Sequence, residues 1–317
     1  MRAYLIKRFF MTLLVLVLVT VYLTLIIHIV PGDPAKSLLG PRANPERIAK
    51  IRAAMNLDKP VWEQIGIALG DLLRMDLGTD LFTGRAISEL VSAALPHTLI
   101  LAWTSLSLAV LIGIPLGVYS ATHPDSWLDR FTAIISISFI TVPSYVAGLF
   151  LLLIFAVRLR VMPAIGLGEE GDTLAYIKHL TLPASALAIT WVGYLARLVR
   201  ASLLEVLNET YIRAEMAVGM PQRKVYYKYA LKNAIIPTVA VLGVGIGKLM
   251  AGAVFVELIF TRPGMGMLIY NAIQARNYPV VRAGVLVVAF LFIAANLLAD
   301  VLYTYLDPRI QLGKVRG

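Results

Sequence analysis

The chain has 317 residues, of which 59% are hydrophobic and only 15% charged, against about 25% charged in an ordinary soluble domain. So little charge over so long a chain excludes a conventional water-soluble globule and points to lipid as part of the solvent. With no cysteine, disulfides, thiolate metal sites and cysteine nucleophiles are excluded, and the net charge of +10 reads as cations gathered at membrane edges rather than as a nucleic-acid footprint.

Taken in chain order, the first element is the unbroken apolar run Phe9–Val30 behind Lys7 and Arg8. It is longer than a signal-peptide core, and Val30-Pro31-Gly32-Asp33-Pro34 is a poor cleavage site, so an uncleaved first span is expected. The segment 31–95 that follows is charge-balanced, with eight basic and eight acidic side chains, and it reads as folded helix rather than linker. Asn44 and Pro45 form an N-cap and first helical position. A second helix is expected after Pro60, with Trp62, Ile65, Leu69 and Leu72 on one stripe, and Gly78 ends that region. Ile87–Leu95 is expected to form a third short helix leading into span two. This is too little material for an enzyme domain.

Further spans are expected at about 97–120, 131–157, 180–199, 235–260 and 283–306, each long enough to cross a bilayer. Six spans place both termini on one side. Lys and Arg concentrate in the N-terminal tail (Arg2, Lys7, Arg8), in the loop after span four (Arg197 through Lys232) and in the C-terminal tail (Arg309, Lys314, Arg316), so that face is expected to be cytoplasmic. Segment 31–95 is then extracytoplasmic. Arg197 and Arg200, at the end of span four, are expected to snorkel to the interface.

Span three carries Ser138, Thr141, Pro143, Ser144 and Tyr145. Proline frees a backbone carbonyl and kinks a helix, and the hydroxyls around it either line a solute path or satisfy the broken backbone. In span five, Gly243-Val-Gly-Ile-Gly-Lys248 fails as a phosphate loop: Leu242 stands where the first glycine belongs and Leu249 where Ser or Thr belongs. The chain is therefore expected to bring no ATPase of its own. Gly243–Gly247 and Gly113–Gly117 read as close helix contacts. Lys248, near mid-span, is expected to face a pore or a subunit, with a snorkelling or locally paired lysine as the alternative. It cannot pair with Glu257 along the helix, because nine residues at about 100° each put them on opposite faces. Glu257 is expected at the wet outer end. His28, His97, His123 and His179 have no metal-ligand spacing, and no nucleophile elbow or aspartate pair suggests enzymology.

Segment 202–237 is the most informative. Ser202-Leu-Leu-Glu205 has a capping-box pattern, and Thr210 is placed to cap a short helix that Gly219 ends before Pro221. On these residues alone, both an interfacial helix and a handle for a partner protein remain open. Glu209-Thr-Tyr-Ile-Arg-Ala-Glu-Met-Ala-Val-Gly219, followed by Ala230-Leu-Lys-Asn-Ala-Ile-Ile-Pro237, resembles the "EAA" loop of binding-protein-dependent ABC importer permeases. Pro31-Gly-Asp-Pro34, Leu57-Asp-Lys-Pro60, Asp76-Leu-Gly78, Gly252-Ala253, Glu257, Pro263-Gly-Met-Gly266, Tyr278-Pro-Val280 and Leu306-Asp-Pro-Arg309 are similar to the dipeptide/oligopeptide branch.

The resemblance implies an all-α integral membrane protein with six transmembrane helices in the type I importer permease fold. It implies an N-terminal tail and first helix (1–30), an extracytoplasmic helical segment (31–95), a permease domain (96–306) containing the coupling loop 201–234, and a cytoplasmic tail (307–317). Implied partners are a second homologous permease, two ATP-binding subunits and an extracytoplasmic solute-binding protein, with ATP and Mg held by the ATPase subunits and no cofactor on this chain. Tyr211, Arg213, Ala214, Glu215, Gly219 and Met220 would make the coupling helix that docks into an ATPase. Ser138, Thr141, Ser144, Tyr145 and Lys248 are candidates for the translocation path. Arg213-Ala214-Glu215 departs from the Glu-Ala-Ala consensus, Val218 stands where lysine is usual, and Lys232 where proline is usual, so individual charge contacts do not carry over. Peptides are the expected cargo, with nickel complexes, glutathione or oligosaccharides as alternatives. An integral membrane enzyme or a stand-alone channel or secondary transporter are the competing classes.

Overall fold

The structure is a computed structural model describing residues 2–29, 35–36, 44–169 and 171–306. The expected motif at Pro31–Pro34 and the tail 307–317 lie outside the described residues. Among those described there is no strand, only an isolated bridge between Thr79 and Ala86. The helices are α1 (Arg2–Ile29), α2 (Pro45–Ala54), α3 (Val61–Arg74), α4 (Ile87–Thr122), α5 (Trp127–Thr141), α6 (Ser144–Leu151, running on as a π-helical stretch Leu152–Arg158), α7 (Thr173–Leu207), α8 (Thr210–Ala217), α9 (Ile236–Ile259), α10 (Met265–Gln274) and α11 (Tyr278–Leu306). Three short helical stretches, Gln222–Lys224, Val225–Ala230 and Leu231–Ala234, join α8 to α9. Among the described residues, five helices are long and apolar enough to cross a membrane, and the count reaches six when the bent pair α5–α6 is taken as one span.

That break corrects the expected third span of 131–157. In place of one kinked helix, α5 and α6 turn by 107°. Pro143 disfavours helical backbone at the residue before it, and Val142 is extended (φ −81°, ψ 120°). Pro143 itself has ψ 143° and starts α6. Two consecutive non-helical residues break the helix, where one missing hydrogen bond would only bend it.

The chain divides into two compact units. The first comprises Met1–Thr98 and Pro263–Ile293. Asn44 caps α2 by accepting from the Glu46 amide at 3.0 Å, with Pro45 at the first position, as expected. α3 packs on α1, but its inner face is Gln64 and Ala68; Trp62, expected on the apolar stripe, is 77% exposed. Gln64 earns its burial by bonding twice: its amide nitrogen donates to the Lys59 carbonyl at 2.8 Å, and its oxygen lies 3.0 Å from His28 Nε2. The expected short helix at Ile87–Leu95 is instead the first part of α4, which runs on through Pro96 into span two without a break. Its Ile87, Val91 and Ala94 form a core with Met265, Ala272, Val280 and Ala283. Asp80 ties the loop before α4 together, accepting from the Thr83 hydroxyl, the Asn277 amide and the backbone of Phe82 and Thr83. Burial would raise the Asp80 carboxyl, but these four donors outweigh it and hold it below the ordinary carboxylate value.

The second unit comprises Leu99–Arg262 and Ala294–Gly317. Its centre is α7, which starts at Asp172, whose carboxylate accepts from the Leu174 and Ala175 amides, and runs to Leu207, well past the expected 180–199. At 1.5 Å per residue it is about 52 Å long, against roughly 30 Å of hydrocarbon, so it protrudes from the bilayer. Ser202 and Glu205 therefore lie inside a helix and do not form the expected capping box. α4 crosses α7 where Gly113 faces Val192 and Leu195, and Gly117 faces Ala196 and Val199, as the spacing of the two glycines predicts. α5 crosses it at Gly193, which sits against Ser136 and Phe139. In α9 the close contacts are made by Gly243 against Ala299 and by Gly245 against the Trp191 ring.

Candidate functional site

Two features of the second unit carry functional residues. The first is a cavity of about 740 Å³. Its walls are the α5–α6 break (Ile140 to Ser144), one face of α7 (Leu187, Thr190, Trp191, Tyr194), one face of α9 (Ala240, Val241, Val244, Lys248, Leu249, Gly252) and Ala299 of α11. The break creates the cavity, since a continuous helix would carry side chains through this space. It also exposes backbone, and the chain answers locally: the Thr190 hydroxyl reaches the Val142 carbonyl at 3.4 Å, and Thr141 and Ser138 donate to the carbonyls of Ser138 and Ile134 at 3.0 and 3.1 Å. Gly245 leaves room for the Trp191 ring, which packs edge-on to Tyr194 at 5.8 Å.

Of the expected path residues, Thr141, Ser144 and Lys248 meet at this cavity, while Ser138 and Tyr145 lie outside its lining. Tyr145 packs instead against Phe255 at 5.8 Å. Thr190, Trp191 and Tyr194 were not singled out from the sequence. Their signal is two aromatics and a hydroxyl on one face of a span otherwise rich in alanine and leucine. Glu257 corrects another expectation: it is 1% exposed, not wet. Near it, Arg262 is fully buried beyond the end of α9, its Nη1 3.4 Å from the His179 carbonyl, its Nη2 3.4 Å from the Tyr176 hydroxyl and its guanidinium over the Tyr176 ring. Burial pulls the Arg262 guanidinium below its usual value, opposed by Tyr176 and Glu257.

The second feature is α8. Its N-cap position is Glu209, extended at φ −68° and ψ 147°, and no side chain caps it; Thr210, expected there, is the first helical residue. Its C-terminus closes with Gly219 at φ +80°, where the Gly219 amide donates to Met216 and the Met220 amide to Glu215, a Schellman arrangement that needs the left-handed backbone glycine adopts readily. One side chain anchors α8: Ile212, fully buried among Val118 and Ala121 of α4, Val199 and Leu203 of α7, and Val225, Ala230 and Ala234 of the connector. Met220 packs against the same cluster. Tyr211 is exposed along one edge, where its hydroxyl accepts from Asn233 at 2.8 Å. Arg213, Ala214 and Gly219 are exposed and Glu215 half-buried, so the expected coupling residues divide into an outward set and the inward Met220.

A bidentate ion pair stands near this end of α7. Arg200 Nε and Nη2 donate to the two carboxylate oxygens of Asp129 at 2.7 and 2.8 Å, tying α5 to α7. Arg200 was expected to snorkel; a buried carboxylate at hydrogen-bond reach holds it instead. No cluster of metal-ligating side chains occurs among the described residues.

Comparison with known proteins gives three findings. Residues 113–312 match the family described as binding-protein-dependent transport system inner membrane component, and residues 1–102 match the N-terminal component of the same system. The chain is 38% identical to the dipeptide transport system permease protein DppB of Alkalihalophilus pseudofirmus (98% of this chain, 100% of the relative) and 38% identical to the probable D,D-dipeptide transport system permease protein DdpB of Escherichia coli (91% and 92%). In fold it resembles an inward-facing structure of the MetNI methionine ABC transporter, with a TM-score of 0.58 at 19% identity over 69% of this chain and 96% of that one.

Proposed function

The chain belongs to the family of binding-protein-dependent transport system inner membrane components, and from that premise we propose that it forms the translocation path of an ATP-driven importer whose cargo is di- or oligopeptides. It is a multi-pass membrane protein with the type I importer permease fold. The peptide cargo rests on the names of its relatives. The reading includes a second permease, two ATP-binding subunits that hold ATP and Mg, an extracytoplasmic binding protein, and termini and loop 201–234 in the cytoplasm.

The observation that carries the reading is α8: an exposed helix fixed by a single buried residue to two spans at once. A partner that pushes on Ala214 moves Ile212, and with it Val199 and Leu203 of α7. Leu203 lies twelve residues along α7 from Trp191, about 18 Å away on a rigid helix. The same α7 therefore carries the docking helix at one end and a cavity wall further along. The Arg200–Asp129 pair adds α5, so the α5 side of the α5–α6 break follows α7 or resists it. Closure of the ATPase subunits would thereby reshape the cavity.

Ala214→Asp tests this. A carboxylate forced into a packed interface costs several kcal/mol when unpaired, and Ala214 is exposed, so the chain itself should fold and insert normally. Reconstituted with its partners, the variant is expected to lose both uptake and stimulation of ATP turnover. Wild-type values for both would show that α8 docks nothing.

A further inference from the structure

We propose that Lys248 makes the α7–α9 cavity a recognition point for the carboxylate of the solute, so that this subunit itself discriminates between cargo acids and their neutral amides. The inference rests on the peptide-importer reading above and deepens it.

Lys248 lies in the middle of α9, where an ammonium facing hydrocarbon is costly and is usually found facing a cavity or paired. It borders the cavity, and none of the described residues gives it a hydrogen bond or ion pair. Among the residues lining the cavity it alone is charged, and no Asp or Glu lies among them to neutralise it. The wall around it offers Trp191, Tyr194 and Leu187 for apolar contact and the hydroxyls of Thr141, Ser144 and Thr190. Two of these three hydroxyls already serve backbone carbonyls, so they add little demand for a charged ligand. A volume of about 740 Å³ is ample for a small solute. The cavity is thus cationic at one point, apolar around it and without any acid. That chemistry matches a carboxylate on an organic body. It holds no acid to pair with an ammonium, so the free amine of a peptide should find no charge partner at this site.

The test uses the complete transporter in proteoliposomes with its binding protein. Three radiolabelled probes are compared: alanyl-alanine, its C-terminal amide and its N-acetyl form. The binding protein is the same for wild type and variants, so its own preferences cancel when probe ratios are compared between them. Wild type is expected to take up the acid faster than the amide. K248Q is expected to cut that acid-to-amide ratio roughly tenfold, the usual worth of one charge-assisted hydrogen bond, while leaving the ratio of free to acetylated amine unchanged. K248R, which keeps the charge, should retain most of the preference. An unchanged acid-to-amide ratio in K248Q, or equal loss of acid and amide uptake, overturns the assignment, because Lys248 would then serve the fold or a neighbouring subunit. Failure of wild type to take up any of the three would instead remove the peptide reading, and this inference with it.

Discussion

Gly117→Ala isolates the packing on which the second unit depends. A methyl group built on Gly117 would sit 2.6 Å from the Ala196 carbonyl oxygen and 2.8 Å from Val199 Cβ, where ordinary contact begins at 3.4 Å. The shortfall of about 0.8 Å is against backbone, which cannot rotate away, so α4 and α7 must part. One turn earlier, Gly113 lies 2.9 Å by the same measure from the Val192 carbonyl, and the seam between them is closed by Ala109, Ala188 and Leu195. Overpacking of this kind costs about 1–3 kcal/mol. From the middle of that range, about 2 kcal/mol, alanine returns up to about 1 kcal/mol of helix propensity, leaving a net loss of about 1–2 kcal/mol. Gly66→Ala and Gly70→Ala in α3 are the controls, since a methyl on either meets nothing within 4 Å and only the propensity gain remains. The assay is the fraction of monodisperse protein surviving a heating series in one detergent. At roughly 2–4 °C per kcal/mol, Gly117→Ala should fall a few degrees below wild type and Gly66→Ala should match or exceed it. Gly117→Ala at or above wild type would refute the close approach of α4 and α7.

Other expectations follow from single contacts. Removing one partner of a buried ion pair costs about 3–5 kcal/mol; Arg200 is about one-third open to solvent, so Asp129→Ala should cost nearer 2 kcal/mol, and a cycle with Arg200→Ala should show the two losses are not additive. The Asp80 carboxyl is held below its ordinary value, so its stabilisation is fully present above about pH 4 and fades as pH falls through the lower folded value. Wild type should therefore lose its thermal margin over Asp80→Asn only in that acid range, and a margin that instead shrinks between pH 8 and about pH 6 would contradict the assignment. Because the chain has no cysteine, Ala49→Cys, on the exposed face of α2, reports topology directly. It should be labelled by an impermeant reagent from outside the cell, and labelling only from the cytoplasm would invert the orientation.

What the sequence shows plainly is what depends on one residue or one run of residues. Apolar length locates the spans; Asn44 with Pro45 starts α2; Gly219, followed by Pro221, ends α8. What depends on distant partners is hidden. Pro143 announces a disturbance, but not that Val142 before it turns extended and α5 and α6 part by 107°, nor that Thr190, forty-eight positions on, meets the Val142 carbonyl. Arg200 finds Asp129 seventy-one positions away, so local reasoning sends it to the interface instead. Glu257 looks wet by its place near the end of α9, and is 1% exposed in the fold. Ser202-Leu-Leu-Glu205 fits a helix start, yet no breaker precedes it, so α7 runs through. The aromatic pair Trp191 and Tyr194 was open to recognition, as large rings on a face of a small-residue span ask for a space to fill.

The most direct measurement is accumulation of alanyl-alanine inside proteoliposomes that contain the binding protein, both ATPase subunits and the partner permease, with and without this chain. With the chain present, the dipeptide should concentrate inside against its gradient only when ATP and Mg are supplied, and Ala214→Asp should abolish that accumulation. Equal uptake without the chain, or uptake that reaches equilibrium and no further whether or not ATP is present, would contradict its role as the path of an ATP-driven importer.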